Sequence, residues 1–224
     1  MKLEIVTQTA DETKYAHELG ADRVELVSAI TEGALTPTFG SVKTIKETIH
    51  VPAFCMIRPH PYSFIYSEND LKEMQNDIIN QLPYASAFVL GCLDENDEID
   101  ETKLAQLLSV VGTTPVTFHK AIDKTPDFRK SVLTLAKYPQ VKRVLTNFGI
   151  KDVAANANLI SEQLAFCKQH GLTVTFAGGV NLASLPILKA AGVEEVHISS
   201  AARIGGLAKN QLDPDTIRAM SACK

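Results

Sequence analysis

The sequence predicts a single (β/α)8 barrel with a short or reduced last helix. Eight short runs rich in β-branched and aromatic residues alternate along the chain with segments of helical spacing. Three passages from helix to strand look alike, HELGADRVELV, AKYPQVKRVLT and KAAGVEEVHIS, and so mark a recurring helix–strand unit. The turn after the first strand reads VTQTAD, without the glycines that a dinucleotide-binding doubly wound sheet usually carries there. At 224 residues the chain is slightly short against the ~250 of a full barrel. The shortfall is assigned to the last helix, because only Asp213 to Met220 follows the eighth strand.

The expected strands are LEIV at 3–6, RVELV at 23–27, AFCMIR at 53–58, AFVLG at 87–91, VTFHK at 116–120, RVLTN at 143–147, TVTFAG at 173–178 and EVHISS at 195–200. The first helix opens on a Thr9-Ala10-Asp11-Glu12 cap, runs to Leu19 and stops at Gly20. Further helical spacing covers 67–82, 100–111, 126–137, 152–170 and 181–191. The longest loops, 28–40 and 59–67, both follow strands, and in a barrel those loops form the active face. No linker or compositional break divides residues 1–224, so one domain is expected.

Composition narrows the function classes. The chain is 45% apolar and 21% charged, with 22 basic and 26 acidic residues and a formal net charge of −4. No long run of one sign occurs, which argues against nucleic acid or an anionic membrane as the main partner. The N-terminal MKLEIVTQTADE meets acidic residues too early for a signal peptide, so a cytoplasmic location is expected. Cys55, Cys92, Cys167 and Cys223 form no CxxC pair, and reduced, mostly buried thiols are the expectation.

Strand alternation sorts the barrel positions into two faces. With Val196, Ile198, Val116 and Phe118 turned toward the helices, Glu195, His197, Ser199, Thr117 and His119 turn inward. The same rule turns Glu4, Arg23, Glu25, Met56, Arg58 and Thr175 inward. A purely structural barrel interior is mostly Val, Ile and Leu, and unpaired buried charge costs several kcal/mol per ion. These groups must therefore pair with one another or with a ligand.

Glu25, Arg58 and His119 fall at or near the C-terminal strand ends, where barrel enzymes keep their catalytic groups. Arginine offers a planar fork for an anion, histidine exchanges protons near neutral pH, and an inward glutamate acts as partner acid or base. Lys120 and Asp123 follow in the loop, and strand alternation points Lys120 away from His119, against a Schiff-base role. Gly178, Gly179 and Asn181 after strand seven, with Ser199 and Ser200 after strand eight, occupy the two loops where many barrels bind phosphate. A Cu(I) site wants two or more converging sulfurs. Cys92, just past strand four, is the thiol expected at the mouth, and Met56 is inward but alone.

The motifs ADRVEL at 21–26, EGALTP at 32–37, MIRP at 56–59, FIYS at 64–67, VTFHKAID at 116–123, RVLT at 143–146 and VHISSAAR at 196–203 resemble the CutC family of copper homeostasis proteins. The resemblance runs in order over nearly the whole chain. It implies a cytoplasmic TIM-type barrel linked to copper tolerance, with Cu(I) as the bound ion and a homo-oligomer, often a dimer, as the assembly. It also matches Glu25, Arg58, His119 and Asp123 to the family's characteristic polar positions. Where many members carry a cysteine proposed as a copper ligand, directly after the Glu-Leu of strand two, this chain has Val27. The loop after MIRP begins His60-Pro61-Tyr62 instead of Arg-Gly-Gly, and the turn after strand seven reads Ala177-Gly178-Gly179-Val180 instead of three glycines.

Two functions thus stand side by side. One is copper homeostasis through Cu(I) binding, with Cys92 as the candidate ligand. The other is an enzyme of lyase or isomerase type, in which Glu25, Arg58, His119 and Asp123 act on a small anionic or phosphorylated metabolite held at Gly178, Gly179, Ser199 and Ser200.

Overall fold

Eight parallel strands hydrogen-bond in chain order and close when β8 pairs with β1, in a computed structural model that describes residues 1–224. The strands are β1 (Lys2–Thr7), β2 (Arg23–Leu26), β3 (Ala53–Met56), β4 (Ala87–Leu90), β5 (Val116–Phe118), β6 (Val141–Thr146), β7 (Thr173–Ala177) and β8 (Glu195–Ile198). Around them lie α1 (Ala10–Glu18), α2 (Phe39–Thr44, prolonged by a π-helical turn to Ile49), α3 (Glu68–Gln81), α4 (Glu101–Val111), α5 (Phe128–Leu135), α6 (Ala157–Gln169), α7 (Leu185–Ala190) and α8 (Pro214–Cys223).

Local chemistry sets the helix ends. The Thr9 hydroxyl accepts the Glu12 N–H at 3.1 Å to start α1, and Ser67 with Asp70 forms a reciprocal capping box on α3. Gly20 closes α1 at φ +106, and a Cβ there would lie 2.2 Å from Ser221 Oγ.

The last helix is not reduced. Asp213 caps it, Pro214 occupies its first turn, and Ile217 and Met220 bury its inner face over ten residues. The abbreviated helices are α7, with six residues, and α2, which yields to the π turn. Part of the expected loop 28–40 is ordered by a bridge between Ser28 and Leu35.

Two apolar layers follow from the alternation. Leu3, Ile5, Val24, Leu26, Cys55, Phe88, Leu90, Val116, Phe118, Val196 and Ile198 pack against the helices in one continuous core. Val6, Val27, Phe54, Met56, Ala87 and Val89 form a smaller cluster inside the barrel. Charged side chains from β1, β2, β6 and β8 share the lumen with this inner cluster, Arg23 and Arg143 lying over its Phe54 ring.

Candidate active site

Strand register brings the inward charges together. Glu4 is opposite Arg23 on one neighbour and opposite His197 on the other. Arg23 Nε donates to Glu4, and its Nη2 donates to Glu195 Oε2 at 2.7 Å and to Thr175 Oγ1 at 3.0 Å. Arg143 Nε reaches the same Glu195 oxygen at 3.1 Å. Both guanidiniums lie over the Phe54 ring, at 4.7 and 5.1 Å. This network closes the lower barrel. Burial by itself would raise the Glu4 pKa, but Arg23 and His197 outweigh it and hold that carboxyl down at about 2.

Above the network the pairing becomes incomplete. His197 Nδ1 meets Glu4 Oε1 at 2.7 Å, while its Nε2 stands 3.8 Å from Glu25 Oε2, an ion-pair distance too long for a hydrogen bond. Burial alone would depress the His197 pKa, yet the facing Glu25 and Glu4 carboxylates raise it and favour the imidazolium. Glu25 is pushed up to about 7, chiefly by burial and further by the Glu4 charge. Its Oε1 is buried and has no hydrogen-bond partner.

His119 directly follows β5 and caps the 3-10 turn Lys120–Lys124, its Nδ1 accepting the Ala121 N–H at 3.2 Å. Its Nε2 is buried without a partner. Burial, helped by the Arg58 charge, lowers its pKa to about 3, so the ring is neutral. Gly91 makes room for it, since a Cβ there would sit 2.6 Å from His119 Cε1 and Nδ1. Arg58 is anchored by the two long loops. Its Nη1 donates to Gly33 O, and its Nη2 donates to Pro61 O at 3.1 Å. The expected free fork is thus partly used, and the buried Nε remains unpartnered. The Phe64 ring joins the two groups, its centroid 4.8 Å from both the Arg58 guanidinium and the His119 ring.

Glu25, Arg58, His119, Lys120, His197 and Ser199 line one cavity of about 250 Å³ at the C-terminal mouth. A second cavity of about 210 Å³ shares Lys120, His197 and Ser199 with it and extends to Gly178, Gly179 and Ser200. The backbone N–H groups of Gly178, Gly179, Ser199 and Ser200 find no acceptor within the protein. Gly178 and Gly179 adopt φ +97 and +71, a conformation that suits glycine.

Three positions differ from the strand-based expectation. Lys120 does not point away: β5 ends at Phe118, the chain turns, and the lysine swings across the mouth. Asp123 is not among the cavity-lining residues. It accepts hydrogen bonds from Lys120 Nζ at 2.5 Å and from the Thr146 hydroxyl. Cys92 does not reach the mouth. It shares the outward parity of Phe88 and Leu90, is fully buried, and faces Asp100 O at 3.6 Å. Burial pushes its thiol pKa well up, and does the same for Cys55 and Cys167. Strand parity named His197 as inward without giving it a role. Gly91 was legible only as the last residue of the expected strand 87–91.

A model of the CutC family matches residues 1–202. The chain belongs to the CutC family. Among its CutC relatives, the protein of Yersinia pseudotuberculosis serotype I is 35% identical over 90% of this chain and 79% of its own length. That of Enterobacter sp. is 35% identical over 88% of this chain and 79% of its own length. The solved CutC of Streptococcus agalactiae, to which a copper homeostasis role is attached provisionally, superposes with a TM-score of 0.79 at 26% identity, covering 88% of this chain and 97% of that one. Phosphoribosyl anthranilate isomerase of Thermus thermophilus shares the barrel alone, with a TM-score of 0.60 at 15% identity over 100% of this chain and 98% of its own. No helix is long and apolar enough to cross a membrane.

No three His, Cys, Asp or Glu side chains converge as metal ligands. Three thiols are buried and Cys223, the exposed one, lies at the end of α8. The residue after the Glu-Leu of β2 is the buried Val27, inside the barrel. These residues do not fit a soft Cu(I) site.

Proposed function

We propose that this CutC protein is an enzyme that moves protons on a small anionic metabolite at the barrel mouth. One observation carries the reading: Glu25 Oε1, Arg58 Nε and His119 Nε2, three buried polar atoms without a protein partner, belong to residues lining one cavity. Leaving such atoms unsatisfied costs ~1–3 kcal/mol each, which a bound substrate would relieve. Arg58 supplies positive charge and an N–H for one anionic group. The free amides at 178–179 and 199–200, with Lys120 above them, supply a place for a second. A Glu25 carboxyl that titrates near neutrality exchanges protons between them.

Thermal unfolding in added phosphate or sulfate tests this. The melting temperature should rise, and Arg58→Ala or Ser200→Asp should remove the rise. No shift with either anion, in a wild-type protein that is folded, would overturn the reading.

Copper homeostasis remains a second reading because it is attached to the Streptococcus agalactiae relative. A competitive Cu(I) titration against a chelator separates the two. Stoichiometric binding that weakens in Cys92→Ala would support a copper site, and binding unaffected by that change would remove the one thiol the copper reading named.

A further inference from the structure

The two histidines of the cavity differ in kind. His197 has a carboxylate on each side and is held as a cation. No carboxylate is hydrogen-bonded or ion-paired to His119: its ring packs on Phe64, whose face also carries the Arg58 guanidinium, and its Nδ1 accepts the Ala121 N–H. Because Nδ1 accepts that N–H, the single proton of the neutral ring is on Nε2. His119 is therefore a fixed donor with its N–H unpartnered and 3% of the residue exposed.

A neutral imidazole donor lining the same cavity as a buried carboxylate base is an arrangement for withdrawing a proton beside a carbonyl, where the donor supports the developing oxyanion. Arg58 shares the Phe64 ring with His119, so a carboxylate on Arg58 would put the adjacent carbonyl oxygen at His119. We infer that the substrate is a 2-oxo carboxylate carrying a C3 hydrogen, that Glu25 takes that hydrogen as a proton, and that His119 donates to the resulting enolate oxygen without giving up its own proton. This deepens the acid/base reading and rests on it.

The step balances within substrate and protein. The C3–H bond breaks, its electron pair forms C2=C3, the carbonyl π pair moves to oxygen, and the proton goes to Glu25 Oε1. Return of the proton to C3 completes exchange or epimerisation with no oxidant or reductant. Lys120 takes no covalent part, because its amine is tied to Asp123 and Asn147.

The test uses 15N-histidine protein and oxalate, a planar mimic of an enolised 2-oxo acid. His119 is assigned by the loss of its signals in His119→Gln or, if that variant does not fold, by Overhauser contacts to Phe64. The expected result is an Nε2-protonated ring that does not titrate from pH 5 to 9. Its Nε2–H resonance should shift on oxalate binding, and Arg58→Ala should weaken that binding roughly tenfold or more. A ring protonated on Nδ1, or one titrating in that range, overturns the inference. So does oxalate binding that leaves the Nε2–H unmoved, or borohydride trapping of pyruvate on Lys120. If sulfate stabilises the protein while any of these is seen, the acid/base reading stands and only the carbonyl assignment falls. If neither oxalate nor sulfate binds, both fall.

Discussion

His197 Nδ1 lies 2.7 Å from Glu4 Oε1, and the partner of that oxygen, Oε2, accepts from Arg23 Nε. One carboxylate thus ties the lower ion-pair network to an imidazole whose other nitrogen faces the cavity. Strand register creates this relationship, since Glu4 is the ladder partner of both residues. The charge state of His197, and through it that of Glu25, depends on a residue that does not line the cavity.

Glu25→Gln should lower the His197 pKa. Burial already pulls that value down, and the substitution removes the foremost charge opposing it while Glu4 remains. Histidine NMR titration of the variant reads this directly, and an unchanged His197 midpoint would contradict the ion pair.

Acid should destabilise the protein mainly below pH 4.5, because above it Glu25, held at about 7 against an ordinary 4.5, takes up its proton first in the folded state and offsets the loss from His119. His119 has a folded pKa near 3 against an ordinary 6.5, so its contribution is present above pH 6.5 and is lost as pH falls toward 3. Glu4, at about 2 against 4.5, loses its contribution from pH 4.5 downward. Urea unfolding of wild type and His119→Gln at pH 7, 5 and 4 should isolate the His119 contribution as a difference of up to ~1.4 kcal/mol per pH unit below pH 6.5. The His119→Gln variant should gain stability relative to wild type as pH falls from 6.5 to 4.5, and parallel profiles would contradict a buried neutral His119.

Arg23→Met should cost ~3–5 kcal/mol, because Glu4 and Glu195 would remain buried without their shared cation. Adding Glu195→Gln should recover part of that loss. Urea denaturation of the single and double variants measures both, and additive costs would contradict the network.

Gly91→Ala should displace the His119 ring, since the new methyl would fall 2.6 Å from two ring atoms. The expected cost is ~1–3 kcal/mol, with loss of the Ala121 N–H bond to Nδ1. A folded variant with unaltered His119 resonances would count against the tight fit.

Thiol titration with Ellman's reagent should label one cysteine quickly, Cys223, and the other three only on unfolding. Rapid reaction of a second thiol that disappears in Cys92→Ala would place Cys92 at the surface, against the packing described.

The eight strands, their inward and outward faces, and the polar lumen were all legible in the sequence, because side chains alternate along a strand at a fixed period of two. That period correctly separated Glu25 and His119 from Phe118 and Cys55. It failed where strands end. Lys120 lies past the last residue of β5 and follows a 3-10 turn instead, so its direction depends on the turn and on Asp123. Cys92 obeys the alternation, which turns it into the outer core with Phe88 and Leu90 despite its closeness to the mouth along the chain. The tertiary structure alone decided which charges are paired and which polar atoms are left over. Whether Arg58 has a free fork depends on carbonyls at Gly33 and Pro61, 25 and 3 residues away along the chain. The two histidines, alike in the sequence, become a cation and a neutral donor because only one of them is folded against carboxylates.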